Sequence, residues 1–273
     1  MKKITPRIFM TVVLLLTAVS LIIRALGAVL FYDFQSEAYT GPNILLYVLG
    51  VLLLLTVPVI VVLARNAFLG RKSLIVPKSN FITSFVTAMA GFLFVIAALV
   101  MAYCRFTGIA DSYTGSTPLA DVLLIISSLG IAALMFSRIG KNFEEKRQKS
   151  TYGLYYVLPV VYAITRLYVL FYSCLRRVTL TYEKLTLVSL VVICLFFLYE
   201  ARYANSEKKR PLAPYCSMAG LAVLFVTLSA LPSLVIFLIY SHGIMNAVFC
   251  VSDLSVAVYA AVNLFGVAND KRD

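Results

Sequence analysis

Charged residues are scarce in this 273-residue chain, and hydrophobic residues fill most of it. Only 13% of the residues are charged, whereas a soluble domain has about 25%. Hydrophobic residues make up 62% of the chain, and the mean hydropathy is +0.94. A soluble fold cannot bury so many apolar side chains, because a large part of any globular surface meets water. The composition excludes a soluble enzyme, a disordered chain and a secreted disulfide module, and it predicts a membrane protein.

Residues that support metal, haem or redox chemistry are also few. His242 is the one histidine, and a single histidine cannot form a His-rich zinc site or ligate a haem from both faces. The five cysteines form no CxxC motif, so we expect them to act mainly as small apolar residues. The chain has no Walker-type glycine loop and no GxGxxG segment. These absences predict a protein without a metal, a bound cofactor or an enzymatic activity.

Long apolar runs account for most of the chain. A transmembrane helix needs about 20 mostly apolar residues, and eight runs meet this requirement: Ile8–Phe31, Ile44–Ala64, Ile82–Cys104, Leu119–Ser137, Gly153–Cys174, Leu187–Tyr203, Ala213–Tyr240 and Ile244–Val267. The connections are too short for a soluble domain. The sequence therefore predicts an all-α polytopic integral membrane helical bundle of eight transmembrane helices, with residues 1–273 forming one membrane domain.

The basic residues predict an orientation. If the N-terminus is cytoplasmic, 18 of the 24 Lys and Arg fall in cytoplasmic segments and 4 in outer segments. Cytoplasmic loops of membrane proteins collect Lys and Arg. We therefore expect a protein of the plasma membrane with both termini in the cytoplasm. The net charge of +12 is explained by these basic cytoplasmic segments, so we expect no nucleic-acid partner. The basic face suits anionic lipid or a protein partner.

The beginning of the chain has a second interpretation. Met1–Lys3 and the apolar run behind it resemble the first two regions of a signal peptide. Arg24 interrupts that run, and the apolar pattern continues to Phe31, which favours an uncleaved first helix.

The two halves of the chain share short features in the same order, which predicts a parallel 4+4 internal repeat of residues 1–140 and 150–273. Met89–Phe92 resembles Met218–Leu221, for example, and the Arg and Asp residues of the spans recur in corresponding runs. Chance similarity between apolar helices is the alternative explanation.

Four ionisable residues lie in or near the predicted hydrocarbon: Arg24, Asp121, Arg166 and Asp253. By insertion scales, a charge at the centre of a transmembrane helix costs about 2.5–3.5 kcal/mol. All four fall in the outer half of the predicted bilayer. We therefore expect Arg24 to pair with Asp121 and Arg166 with Asp253, one ion pair in each repeat. Pairing across the repeats is the alternative.

These ion pairs have two interpretations. They either fix the register of the helices or line a site for a small charged or zwitterionic solute. Arg24 could instead extend its charged end to the outer interface. Tyr162 lies one turn before Arg166 and could share its cavity.

Glu200 is the other unusual residue, near the predicted cytoplasmic end of the sixth run. We expect an interfacial salt bridge with Arg138 or Lys141. A role in binding a proton or another cation is the alternative, because carboxylates in membranes often serve in relays.

The favoured function is therefore a small-solute transporter or a solute-binding membrane protein. A non-catalytic subunit or scaffold of a larger transport or envelope complex is the second interpretation. A membrane enzyme acting on lipids is the least favoured, because the chain has so few histidines and carboxylates.

The predicted topology can be tested by labelling single cysteines from outside intact cells. Sites in 33–42 and 107–116 should react with a membrane-impermeant reagent, and sites in 66–80 and 140–150 should not. Labelling at residue 145 would contradict the eight-span arrangement.

Overall fold

The computed structural model describes residues 5–33, 38–39, 44–73, 81–108, 117–137, 151–174, 181–204, 210–240 and 244–269. Eight long α-helices make up nearly all of this part of the chain: α1 (Pro6–Phe31), α2 (Ile44–Ala67), α3 (Phe81–Phe106), α4 (Pro118–Ser137), α5 (Thr151–Cys174), α6 (Thr181–Ala204), α7 (Ala213–Tyr240) and α8 (Ile244–Asn269). By length and composition, seven can cross a membrane, and α5 has a shorter apolar stretch, Tyr156–Tyr172. The predicted all-α polytopic bundle is confirmed.

The helix ends follow the apolar runs closely, with one exception. The helix α4 begins at Pro118, and the carbonyl oxygen of Thr117 accepts hydrogen bonds from the amides of Ala120 and Asp121 at 2.9 and 3.3 Å. The exception is α6, which begins at Thr181 rather than at Leu187. A helix can start before its apolar run, because water can satisfy the free amides of a first turn outside the hydrocarbon.

Six helices form a closed cycle of packed neighbours in the order α3, α4, α5, α6, α7, α8 and back to α3. We call this cycle the ring. The helices α1 and α2 pack against each other and against α7, and α1 also contacts α8. The ring order matters for the site, because it shows which side chains must reach across the interior to meet.

Two short antiparallel strand pairs lie outside the helices. Between α1 and α2, β1 (Tyr32–Asp33) pairs with β2 (Ala38–Tyr39). The second pair joins β3 (Lys72–Ser73) to β4 (Arg210–Pro211), with Lys72 opposite Pro211. This second pair ties the end of α2 to the beginning of α7.

The two ends of the bundle can be named from these contacts. Gly70, with a φ of 78°, lets the chain leave α2 and turn into β3. Phe9, at the beginning of α1, packs edge-on against Phe68 with 5.8 Å between ring centroids. The beginning of α1 and the end of α2 therefore lie together. We call this end the N-side and the opposite end the far side.

The surface of the bundle is apolar, and its interior is partly polar. Large apolar side chains such as Val29, Leu54 and Ile82 are more than 70% exposed. Charged side chains lie buried inside, among them Arg24, Asp121, Arg166, Glu200 and Asp253. Lipid tails can cover the apolar surface, whereas polar groups in a bilayer find partners only inside the protein. This distribution is the one expected of a multi-pass membrane protein.

The contacts of the helices leave the internal repeat a prediction. A repeat of α1–α4 in α5–α8 would pair α2 with α3 in the way that α6 pairs with α7. The principal neighbours of α2 are α1 and α7, whereas α6 packs between α5 and α7.

A close approach of α4 and α5 gives a test of the packing. A Cβ atom on Gly130 would lie 2.9 Å from the Cβ of Leu158 and would collide with its Cδ1. Gly130→Ala should therefore destabilise the protein by about 1–3 kcal/mol, seen as a lower unfolding temperature in detergent.

Gly50→Ala is the matched control on α2, where a new Cβ meets nothing within 4 Å. It should leave the unfolding temperature unchanged or raise it, because alanine is the better helix former. A Gly130→Ala protein as stable as the wild type would contradict this packing of α4 on α5.

Candidate functional site

The predicted ion pair between Arg166 and Asp253 is present and spans the interior of the ring. Arg166 Nη2, on α5, lies 3.1 Å from Asp253 Oδ2, on α8. The two side chains are only 7% and 4% exposed. Because α5 and α8 are on opposite sides of the ring order, their contact is made across the interior.

The pair lies deep below the far side of the bundle. Asp253 is nine residues from the beginning of α8, and Arg166 is eight residues from the end of α5. At the rise of an α-helix, these positions are about 12–14 Å from the far-side helix ends. That depth places both charges within the hydrocarbon, where a charge is stable only with a partner or with water.

Small residues next to both charges allow the helices to approach. Ala163 lies three residues before Arg166, and Ala257 and Ala260 follow Asp253 by four and seven residues; all three alanines are buried. Small side chains are typical of contacts between membrane helices.

Aromatic rings enclose the guanidinium group. Arg166 Cζ lies 3.7 Å from the ring centroid of Phe249 and 6.0 Å from that of Tyr162. Phe94, on α3, packs edge-on against Tyr162 with 5.7 Å between the ring centroids. The face of an aromatic ring attracts a cation, so Phe249 stabilises the charge of Arg166 and fixes the plane of its guanidinium.

The ion pair uses only part of its hydrogen-bonding capacity. Arg166 Nη1, Asp253 Oδ1 and the Tyr162 hydroxyl are buried and have no hydrogen-bond partner among the residues that the structure describes. A guanidinium and a carboxylate can form two parallel hydrogen bonds, but this pair forms one. One donor, one acceptor and one hydroxyl therefore remain available at the same level of the ring.

Tyr162 and Ser252 extend this polar centre. The Tyr162 hydroxyl is close enough to Asp253 and Ser252 to interact with both, without a hydrogen bond of standard geometry. The Ser252 hydroxyl donates to the carbonyl oxygen of Val248 at 2.9 Å, so its lone pairs are left to accept. We call Tyr162, Arg166, Ser252 and Asp253 the polar centre.

Arg24 is buried close to the polar centre. Its side chain is buried, with 5% of the residue exposed. Arg24, Arg166 and Asp253 all interact electrostatically with Cys250 on α8. The sequence prediction placed Arg24 beside Asp121, but its described neighbour on α8 is Cys250.

The pairing of Asp121 with Arg24 stays a prediction, and the structure places a second basic residue beside Asp121. Arg105 Nη1 lies 3.4 Å from Asp121 Oδ2. Arg105 ends α3 and Asp121 begins α4, which are neighbours in the ring. The sequence carried a usable signal, because a short connection brings the ends of consecutive helices together. The Arg105 side chain is 30% exposed, so this pair lies at the rim rather than in the interior.

Glu200 also reaches across the ring. It is completely buried, and its Oε1 accepts a hydrogen bond of 2.6 Å from the Tyr259 hydroxyl on α8. The expected partners, Arg138 and Lys141, lie outside the described residues. Sequence reasoning missed Tyr259, because tyrosine is common in this chain and only its depth on α8 distinguishes it.

The cysteines and acidic residues offer little further chemistry in the described part of the chain. Cys104, Cys194, Cys216 and Cys250 are free thiols. Within the described residues, no three His, Cys, Asp or Glu side chains are grouped so that they could hold a metal ion.

The buried pair gives a stability test. Asp253→Asn leaves Arg166 as an unpaired buried charge and should cost about 3–5 kcal/mol. The combination of Asp253→Asn with Arg166→Gln removes both charges, so it should unfold at a higher temperature than Asp253→Asn alone.

The rim pair is the control for that experiment. Asp121→Asn should have a smaller effect, because Arg105 is partly exposed and solvent weakens such pairs. If the double variant at Arg166 and Asp253 is less stable than Asp253→Asn, the two charges do not stabilise each other.

Comparison with known proteins identifies no relative: no family model, no curated protein and no solved structure matches this chain.

Proposed function

We propose that this protein binds a small charged or zwitterionic solute at the polar centre and carries it across the membrane. The observation that supports this proposal is the single hydrogen bond of the Arg166–Asp253 pair, which leaves Arg166 Nη1 and Asp253 Oδ1 available. A buried polar group without a partner costs about 1–3 kcal/mol. A solute with both an acceptor and a donor would satisfy the two atoms at once.

The position of the polar centre also favours transport. The pair lies in the ring interior, between helices that are not neighbours in the ring order, so a small movement of α5 relative to α8 would open it. Prolines lie within α2, α5 and α7 at Pro58, Pro159 and Pro232. A proline removes a backbone hydrogen bond and allows a helix to bend. Alternating access needs such movements around a fixed site.

The remaining features of the proposal concern the surroundings of the protein. We place it in the plasma membrane with the N-side in the cytoplasm, where Lys and Arg are expected. Its role is non-catalytic, and lipid is its constant partner. Anionic lipid suits the basic N-side.

A thermal-shift screen tests the solute site. The purified protein is heated with amino acids, simple amines, simple carboxylates and neutral polyols, each class separately. A bound solute raises the unfolding temperature, and at a hundred times its Kd it adds about 2.7 kcal/mol of stability. We expect one charged or zwitterionic class to stabilise the wild type and to be taken up by liposomes that contain the protein.

Two double variants decide whether the polar centre binds that solute. Arg166→Gln with Asp253→Asn should lose both the stabilisation and the uptake. Arg105→Gln with Asp121→Asn, at the rim, should keep both. An unchanged response of the Arg166 and Asp253 variant would refute the site. A wild type that no class stabilises would favour the alternative of a membrane subunit or scaffold.

A further inference from the structure

The two members of the buried ion pair differ in the way they can lose their charge. Arginine stays protonated in proteins, whereas an aspartate binds a proton when its surroundings disfavour the charged form. Among the described residues, Arg166 is the cation that interacts with Asp253, through Nη2 and Oδ2 at 3.1 Å. If the two side chains separate, Arg166 needs another anion as its partner. Asp253 can be neutralised by a proton alone.

The guanidinium of Arg166 has one edge that is only half used. Its Nη2 binds Asp253, and its Nη1 is buried with no hydrogen-bond partner among the described residues. The ring of Phe249 covers one face of the guanidinium, with Cζ 3.7 Å from the ring centroid. A carboxylate can bind a guanidinium through two parallel hydrogen bonds. A carboxylate that binds Nη1 and Nη2 together therefore displaces Asp253 from Nη2.

The surroundings of Asp253 can hold a neutral acid as well as a carboxylate. Its Oδ1 is buried with no hydrogen-bond partner in the described part of the chain, and the Tyr162 hydroxyl lies close to its side chain. A hydroxyl both donates and accepts hydrogen bonds. Tyr162 can therefore donate to the carboxylate and accept from the protonated acid. The Ser252 hydroxyl, which interacts with Tyr162, adds a second oxygen to the same polar centre.

Few charged or titratable groups surround Asp253. Arg166 and Tyr162 face it from α5, Cys250 lies one turn before it on α8, and Arg24 on α1 interacts with Cys250. The described titratable side chains of α3 and α7, which also pack against α8, are Tyr103, Cys104, Arg105, Tyr215 and Cys216. None of these five interacts with Asp253. Because arginine stays charged and tyrosine and cysteine titrate only in alkaline solution, Asp253 is the group whose charge can change near neutral pH.

We propose that a carboxylate group of the solute replaces Asp253 on Arg166, and that Asp253 takes up one proton in the same event. The new O–H bond forms on the Asp253 carboxylate, and the proton comes from water that enters with the solute. Before binding, the pair holds one positive and one negative charge. Afterwards Arg166 and the solute hold these two charges, and Asp253 is neutral. The inference rests on the solute site proposed above, and it names an anion as the solute and a proton as the coupled ion.

An anion fits this site better than a cation. A cation that binds Asp253 leaves the guanidinium of Arg166 without an anion, at a depth where an unpaired charge is unstable. Arg166 cannot escape this by losing a proton. A zwitterion that binds both side chains takes up no proton, so the experiment must separate it from a simple anion.

The pH dependence of probe binding tests the coupling on the purified full-length protein. The probes are acetate as the anion, methylammonium as the cation and glycine as the zwitterion, each followed by thermal shift. From about pH 6 to about pH 8, uptake of one proton with acetate should raise its apparent Kd by up to tenfold for each pH unit. Methylammonium should not stabilise the protein.

Asp253→Asn separates a proton on the protein from a proton on the probe. Its neutral amide imitates the protonated acid and leaves Arg166 ready for an anion, so acetate should raise its unfolding temperature with a Kd that does not change with pH. Asp121→Asn, at the rim, is the matched control and should keep the pH dependence of the wild type. If Asp253→Asn does not fold, an infrared difference spectrum decides: acetate should produce a carboxylic-acid band in the wild type and in Asp121→Asn.

The outcomes distinguish this inference from the solute site on which it rests. An acetate Kd that is independent of pH in the wild type, or the absence of the acid band, overturns the coupling and leaves the solute site. The coupling is also overturned if glycine or methylammonium binds and acetate does not. If no probe stabilises either the wild type or Asp253→Asn, the solute site and the coupling are refuted together.

Discussion

The hydrocarbon of a bilayer offers no hydrogen-bond partner, and this constraint shapes the whole protein. Each helix satisfies its own backbone, so polar side chains must either reach the interface or meet inside the bundle. Here the buried charged side chains are Arg24, Asp121, Arg166, Glu200 and Asp253, and many large apolar side chains face outward. The arrangement explains why a chain with so few charges places several of them in its interior. Arg166 and Glu200, for example, each meet a partner that α8 brings to the same depth.

The helix α8 is central to this arrangement. It packs against α3, α7 and α1, and it carries both Asp253 and Tyr259. Through these residues it contacts α5 by way of Arg166 and α6 by way of Glu200, each across the ring interior. The interior is therefore polar at two levels, one nearer the far side and one nearer the N-side.

The helices could be predicted from the sequence, because a run of about 20 apolar residues has few other uses. The pairing of Arg166 with Asp253 could also be predicted, since the residues share one depth. Depth gives only the position of a residue along the membrane normal, however. Its position in the membrane plane depends on how the helices pack. Equal depth predicts Arg24 beside Asp121 and does not point to Arg105, which the short connection between α3 and α4 brings to it. The contact of Glu200 with Tyr259 depends on the ring order, which the apolar pattern does not encode.

A solid-state NMR distance between the guanidinium carbon of Arg166 and the carboxyl carbon of Asp253, measured in lipid bilayers, tests the central claim most directly. The account predicts a strong coupling between the two carbons, as expected for Nη2 and Oδ2 only 3.1 Å apart. The coupling should disappear in Asp253→Asn if the loss of the charge releases the guanidinium. An Arg166 guanidinium that couples to lipid phosphates in the wild type, with no coupling to Asp253, would contradict the buried ion pair and the solute site built on it.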